Sequence, residues 1–357
     1  MLRCRGWEVT HLLKTIILGI LMSLLAVACT GKTANNLTHQ QNQSLTSPSA
    51  TPSECQTIEH NLGETQICGH PQKVVVLGPT LLELLLVLEV QPVGYADYFS
   101  HSYRKFEQPS QQILYLGERV TSQLTNVGTW SAPSLEAIAK LKPDLILGTI
   151  EINQKEYPLL SQIAPTLLLN YAPDKGWEQQ LREIANILQR SQQAEEMIAA
   201  HEQRLAAVGK EFKSIANVYP KVLLLAFDQF DKNLQIESSN NFCGSLIEEL
   251  GFQLVSLPSS DKSERTSHLV SLELLPQLDA DLIIVQGRDN DFSNPAEDPV
   301  NRQLKNVKQQ WNNNEITQSM RASKEGRVYF TTAYLCRGLP GPIGTEIFLE
   351  QLRQLWL

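Results

Sequence analysis

The sequence predicts an α/β fold of two lobes with like topology, each on a parallel sheet covered by helices on both faces, joined by one long α-helix. Three observations carry that expectation. Short continuous apolar runs at Val74-Val75-Val76-Leu77, Leu145-Ile146-Leu147, Val222-Leu223-Leu224-Leu225 and Leu282-Ile283-Ile284-Val285 alternate with helical segments, and strands apolar on both faces belong in parallel sheets buried between helices. One segment also repeats. Pro133-Ser134-Leu135-Glu136 is followed by Leu141 and Asp144-Leu145-Ile146, and Val270-Ser271-Leu272-Glu273 by Leu278 and Asp281-Leu282-Ile283, one copy in each half of the chain, as two similar lobes require. Finally, Ala194, Ile198, His201, Leu205, Val208, Phe212 and Ile215 recur every three or four residues among charged positions, an amphipathic helix of about six turns between the halves.

The chain begins with Arg3, Arg5 and Lys14 ahead of an apolar run from Thr15 to Ala28. The run is too short to remain in a bilayer and reads as a signal peptide over residues 1–28. Leu25-Ala26-Val27-Ala28-Cys29 resembles the lipobox of bacterial lipoproteins, with Ala26 in place of the usual Leu, and that resemblance implies lipidation of Cys29. Residues 29–54 are then the lipid anchor and a flexible tether, because their Thr, Ser, Asn, Gln and Pro supply too little apolar surface to offset the entropy of ordering. The body would lie on the periplasmic or extracytoplasmic face of a membrane.

Four of the six cysteines remain in that body: Cys55, Cys68, Cys243 and Cys336. An even number in an oxidising compartment suggests two disulfides. Cys55 and Cys68 bracket the turn signal Asn61-Leu62-Gly63, so a hairpin staple is economical and leaves Cys243 to Cys336. Three pairings are possible, and buried free thiols at 243 and 336 are the other reading.

After the tether the order is an N-terminal α/β lobe over 55–190, the linking helix over 191–216 and a C-terminal α/β lobe over 217–357, with Pro220 opening the last. In each repeat copy the Ser can cap a helix and place Glu in its first turn, where exposed N–H groups favour a negative charge. A helical linker makes a stiff hinge, so the lobes should close by small angles only.

Composition narrows the function. The chain has 357 residues, enough for two domains, with 42% hydrophobic and 19% charged residues, which excludes collagen, coiled coil and wholesale disorder. A net charge of −8 argues against nucleic acid as a partner. No Gly-x-Ser-x-Gly elbow, His-Glu-x-x-His helix or P-loop is present, so nothing suggests an enzyme, and the scattered histidines disfavour a dedicated zinc or manganese site.

The order of tether, strand-helix-strand, Val127-Gly128-Thr129 before Pro-Ser-Leu-Glu, Leu141-Lys142-Pro143-Asp144-Leu145-Ile146, bridging helix, second Ser-Leu-Glu and Lys324-Glu325-Gly326-Arg327-Val328-Tyr329 resembles the helix-linked, class III substrate-binding lipoproteins of ABC importers, of the iron-siderophore type. The likeness runs from about Val74 to the C-terminus. It implies two Rossmann-like lobes with a ligand cleft between them, no enzymatic cofactor, and a monomer that delivers a small iron(III) chelate to a permease dimer and its ATPase. It also implies that Glu136 and Glu273 dock on the permease. Cobalamin and haem are the family's other ligand classes and stay open as alternatives, as does an interaction protein that has lost its ligand.

Cleft positions in such a fold follow the strand ends. They are Tyr98, His101 and Arg104 after the strand at Gly94, Trp130 after Val127-Gly128-Thr129, Arg288 after Val285-Gln286-Gly287, and Tyr334 and Arg337 before Gly338. Arginines for charge and aromatic rings for stacking suit an anionic ferric siderophore.

Overall fold

The computed structural model describes residues 55–357 apart from 61, 100–103, 171–175, 258–265 and 289–298. The leader, Cys29, the tether and His101 therefore lie outside the described residues.

The first element is a hairpin, β1 (Cys55–His60) and β2 (Gly63–Cys68), with Cys55 opposite Cys68 in register and disulfide-bonded to it. Thr65 Oγ1 donates to the Thr166 carbonyl at 2.8 Å, pinning the hairpin to the first lobe. That lobe holds β3 (Val74–Leu77), β4 (Gly94–Asp97), β5 (Lys105–Phe106), β6 (Leu124–Thr129), β7 (Ala132–Pro133), β8 (Leu145–Thr149) and β9 (Thr166–Leu169). Their order is β5-β6-β4-β3-β8-β9, with β7 on β6. The pairs β3/β4, β4/β6, β3/β8 and β8/β9 are parallel, whereas the short β5 and β7 run antiparallel to β6.

The second lobe holds β10 (Lys221–Phe227), β11 (Gln235–Glu237), β12 (Gln253–Leu254), β13 (Ser267–Leu269), β14 (Leu282–Gly287) and β15 (Val328–Thr332), ordered β13-β11-β10-β14-β15 with β12 on β10. β10, β14 and β15 form the parallel centre, and β11 and β13 an antiparallel edge. The sheets are thus parallel in their apolar centres and mixed at one edge. Strands of two or three residues carry no apolar run, and a polar edge strand does not need covering on both faces.

Helices α1 (Pro79–Val87), α2 (Leu135–Leu141) and α3 (Trp177–Ile187) pack in the first lobe, and α4 (Ser191–Val218) links the lobes. The second lobe adds α5 (Phe242–Glu249), α6 (Pro299–Asn312), α7 (Ala333–Gly338) and α8 (Pro342–Trp356). At 28 residues, α4 spans about 42 Å. It buries Ala194, Ile198, Val208, Phe212 and Ala216, the apolar stripe visible in the sequence. One hydrophobic cluster runs from Val76 and Leu84 through Ile198 and Phe212 to Leu224, Leu335 and Phe348. Both lobes and the linker therefore share a core.

The repeated segment takes two forms. Ser134 Oγ accepts from the Ala137 N–H at 3.3 Å and caps α2. In the second copy the chain forms a 3₁₀ turn over Leu272–Gln277, and Ser271 makes no side-chain cap, contrary to the expected helix. The cause is Pro276, which stands where the first copy has Ala139 and can neither donate an i→i−4 bond nor clear the preceding turn. The Asp of each copy does the same work. Asp144 accepts from the Gln72 and Lys73 N–H groups at 2.8 Å each, ahead of β3, and Asp281 accepts from the Lys221 N–H at 3.0 Å, opening β10.

Direct contacts join the lobes. Thr80 Oγ1 donates to the Gly338 carbonyl at 2.8 Å, and Tyr115 Oη and Thr332 Oγ1 lie 3.0 Å apart. Glu83 of α1, fully buried, accepts from the Gly341 and Gly344 N–H groups at 3.0 and 2.8 Å, where α8 begins.

Candidate functional site

Two sets of side chains meet between the lobes, one aromatic and one charged. The aromatic set grows from the carboxyl ends of β4 and β6. Asp97, buried at the end of β4, receives the Tyr95 hydroxyl at 2.7 Å and the Tyr98 N–H at 2.6 Å on Oδ1, while its carbonyl receives the Trp130 N–H at 2.8 Å. The Trp130 carbonyl in turn accepts from Asn153 Nδ2 at 2.6 Å. Trp130 is thereby held from both sides on the tight β6–β7 turn. Gly128 makes that turn possible, with φ 100° and a missing Cβ that would stand 2.8 Å from the Ala132 carbonyl oxygen. The ring centroids of Tyr98 and Trp130 lie 5.0 Å apart.

Tyr334 on α7 closes this set from the second lobe. Its ring lies 5.2 Å from Phe99, 6.1 Å from Tyr98 and 6.1 Å from Tyr115, and its hydroxyl donates to Asp97 Oδ1 at 3.4 Å. It is buried, whereas Tyr98 is exposed and Trp130 partly so. Burial and the Asp97 carboxylate hold the Tyr334 and Tyr95 phenols well above their ordinary range. Both remain protonated donors at neutral pH.

The charged set belongs to the second lobe. Arg288 follows β14 and Arg337 sits near the end of α7, and each donates an Nη2 hydrogen to the same oxygen, Glu237 Oε1, at 2.7 and 2.9 Å. Glu237 ends β11 and is only 1% exposed; its Oε2 accepts from Asn241 Nδ2 at 2.6 Å. Asn241 also caps α5 through the Gly244 N–H at 2.9 Å. The next turn brings Cys243, disulfide-bonded to Cys336, the residue before Arg337. Burial and the adjacent Arg337 guanidinium pull Arg288 below its ordinary value. Tyr98 acts on Arg288 electrostatically from the facing lobe.

Of the predicted ligand residues, Tyr98, Trp130, Arg288, Tyr334 and Arg337 converge here. Arg104 is exposed and lies within electrostatic reach of Glu136. Glu136 and Glu273 are both exposed, each in the first turn of its repeat copy, and Glu136 is engaged by Lys140 Nζ at 2.6 Å, which lowers its pKa. Sequence reasoning missed Glu237, Asp97, Tyr115 and Thr332. The available signal was an acidic residue closing a short strand, at Gly94-Tyr95-Ala96-Asp97 and Gln235-Ile236-Glu237. A cavity of about 430 Å³ lies elsewhere, along α4, lined by Leu205, Gly209, Lys213 and Glu249 among others, and includes none of these residues.

Comparison with known proteins places the fold. Among relatives, the chain is 27% identical over 346 residues to YhfQ of Bacillus subtilis (strain 168), assigned as an ABC transporter substrate-binding lipoprotein, covering 94% of this chain and 95% of YhfQ. It is also 27% identical over 313 residues to the Fe(3+)-citrate-binding protein YfmC of the same organism, covering 87% of each. Staphylococcus aureus SirA, in its complex with staphyloferrin B, superposes with a TM-score of 0.65 at 24% identity, over 84% of this chain and 97% of SirA, and so shares the fold. Residues 74–335 match the periplasmic binding protein family model, and with that span covering most of the body, this chain belongs to the periplasmic binding protein family.

Proposed function

We propose that the protein captures an iron(III) chelate of the siderophore or citrate type between its lobes and delivers it to the permease of an ABC importer. The observation that carries this reading is the pairing of two cleft-facing guanidiniums, on Arg288 and Arg337, with the aromatic rim of Tyr98 and Trp130. Arginine forks match carboxylate and other anionic oxygens, and flat rings cover the organic face of a chelate. These groups are donors, suited to a ligand that already surrounds its metal with oxygen. The names of YhfQ and YfmC support the same direction. A haem held by a tyrosinate is disfavoured by Tyr334, whose hydroxyl is held protonated by burial and by Asp97.

Docking on the permease falls to Glu136 and Glu273, exposed on the two lobes. The lipid anchor at Cys29 and the disulfide-permissive compartment follow from the sequence, and the bonds at Cys55–Cys68 and Cys243–Cys336 suit them. The test is quenching of tryptophan fluorescence by ferric citrate, ferric hydroxamates, ferric catecholates, haem and cobalamin. Saturable submicromolar binding of an iron chelate, with the quench lost in Trp130→Phe, is the expected result. Binding of haem or cobalamin alone would overturn the substrate.

A further inference from the structure

The charged half of the cleft holds a buried carboxylate where a site for anions would be expected to have only cations. Glu237 is 1% exposed, and one of its oxygens takes a hydrogen from each of Arg288 and Arg337. Removing a carboxylate from water is costly, and here its negative charge opposes an anionic chelate. The geometry shows what this arrangement achieves. Two guanidiniums that repel each other are brought side by side through one shared acceptor, while Asn241 Nδ2 at 2.6 Å fixes the other oxygen. Among the described residues the buried Nε of Arg288 has no protein partner. A buried donor left open is expensive unless something else supplies the acceptor. The edge of a guanidinium that includes Nε is the edge that fits a carboxylate.

We propose that Glu237 is the specificity-determining residue of the cleft. It leaves the Arg288–Arg337 pair with a single net positive charge, matched to an iron(III) chelate of low negative charge that presents carboxylate oxygens rather than to a tris-catecholate. The inference rests on the iron-chelate reading of this site and narrows its substrate class. Three dianionic catecholates around iron(III) leave three negative charges, and that ligand would need an excess of cations. Instead, Glu237 offsets one arginine, and a second buried carboxylate, Asp97, lies under the aromatic rim.

The experiment compares affinities for the one-to-one ferric citrate complex and for iron(III) tris-catecholate, made with unsubstituted catechol, in the wild type, Glu237→Gln and Glu237→Asp. Glu237→Gln adds one net positive charge and should lower the citrate-to-catecholate affinity ratio at least about tenfold, with a steeper loss of binding as salt is raised. Glu237→Asp keeps the charge but shortens the reach, so both affinities should fall while their ratio holds. A ratio unchanged in Glu237→Gln, or changed equally in Glu237→Asp, overturns the assignment. Should the Gln variant fail to fold, the wild type ranks the same question across ferric chelates carrying one, two and three negative charges, and affinity that climbs with charge overturns it. A wild type that binds none of these chelates overturns the iron-chelate reading itself, and this proposal with it.

Discussion

Glu83 is the residue on which two opposing electrostatic effects can be weighed. Its carboxyl faces the first N–H groups of α8, which favour the anion, yet it has no exposed surface. Burial wins, and the pKa rises from 4.5 to about 7, with the Gly344 and Gly341 N–H groups and the Arg119 charge pulling the other way. Because the folded chain holds this proton more tightly than the unfolded one, stability falls as pH rises from 4.5 through about 7, by on the order of 3 kcal/mol. Glu83→Gln should remove that slope. Melting temperatures of the two proteins should differ most in favour of the wild type near pH 5 and converge or cross near pH 8, and parallel curves would show that Glu83 does not titrate in this range. Residues of this kind were invisible in the sequence. Trp130 and Arg288 could be found because each directly follows a readable strand motif, Val127-Gly128-Thr129 and Val285-Gln286-Gly287, and Arg337 because it directly precedes Gly338. Glu83 sits inside Leu81-Leu82-Glu83-Leu84-Leu85, where an acid looks like the wet face of a helix, and its partners lie some 260 residues away. Glu237 was hidden in the same way, since its neutralising arginines come from two other elements.

At the scale of elements, the repeat was legible and its local conformation was not. The Asp144 and Asp281 contacts show why the pattern recurs, because each Asp ties the strand of its own unit to the residues that open the strand beside it. Pro276 then decides that the second copy is a 3₁₀ turn. The short edges β5, β7 and β11 to β13 escaped because two or three residues give no periodicity to read. Both forms of the repeat still leave Glu136 and Glu273 exposed. Charge reversal at both, Glu136→Arg with Glu273→Arg, should leave chelate affinity within about twofold, since neither touches the cleft, and abolish uptake and stimulation of the importer's ATPase in reconstituted vesicles. Undiminished uptake would remove the docking role from these residues. In Glu136 the charge is shared with Lys140, an exposed neighbour one turn on, which a permease arginine would have to displace. Gln277 occupies the corresponding place beside Glu273, so the two proposed docking points are chemically unequal.

The described residues from Cys55 onward form two lobes on a shared core. Besides the shared apolar cluster, α4 is fastened to α8 by Arg204–Glu346 at 2.8 Å and Arg353–Glu211 at 2.8 Å, and Glu83, Thr80 and Tyr115 cross directly between lobes. Opening the cleft widely would break these contacts together, which restricts ligand-driven motion to small angles. No helix among the described residues is long and apolar enough to cross a membrane. The proposed anchor is Cys29, and Cys29→Ser should move the protein from the membrane fraction to the soluble one; retention in the membrane would mean that the leader is not removed there.

The order of the cysteines also says how a chain delivered amino-terminus first would be oxidised. Cys55 meets Cys68 after 13 residues, before any other thiol of the body has emerged, and Cys243 then meets Cys336 after a further 93 residues. Each bond joins neighbours in the cysteine sequence, so an oxidant that acts on thiols as they arrive makes the native pairs directly and leaves nothing for an isomerase to reshuffle. The last of them closes only when nearly the whole polypeptide is across. If the chain is exported as proposed, the turn bearing Tyr334 and Arg337 would be sealed at the end of export, and the cleft completed only on the far side of the membrane.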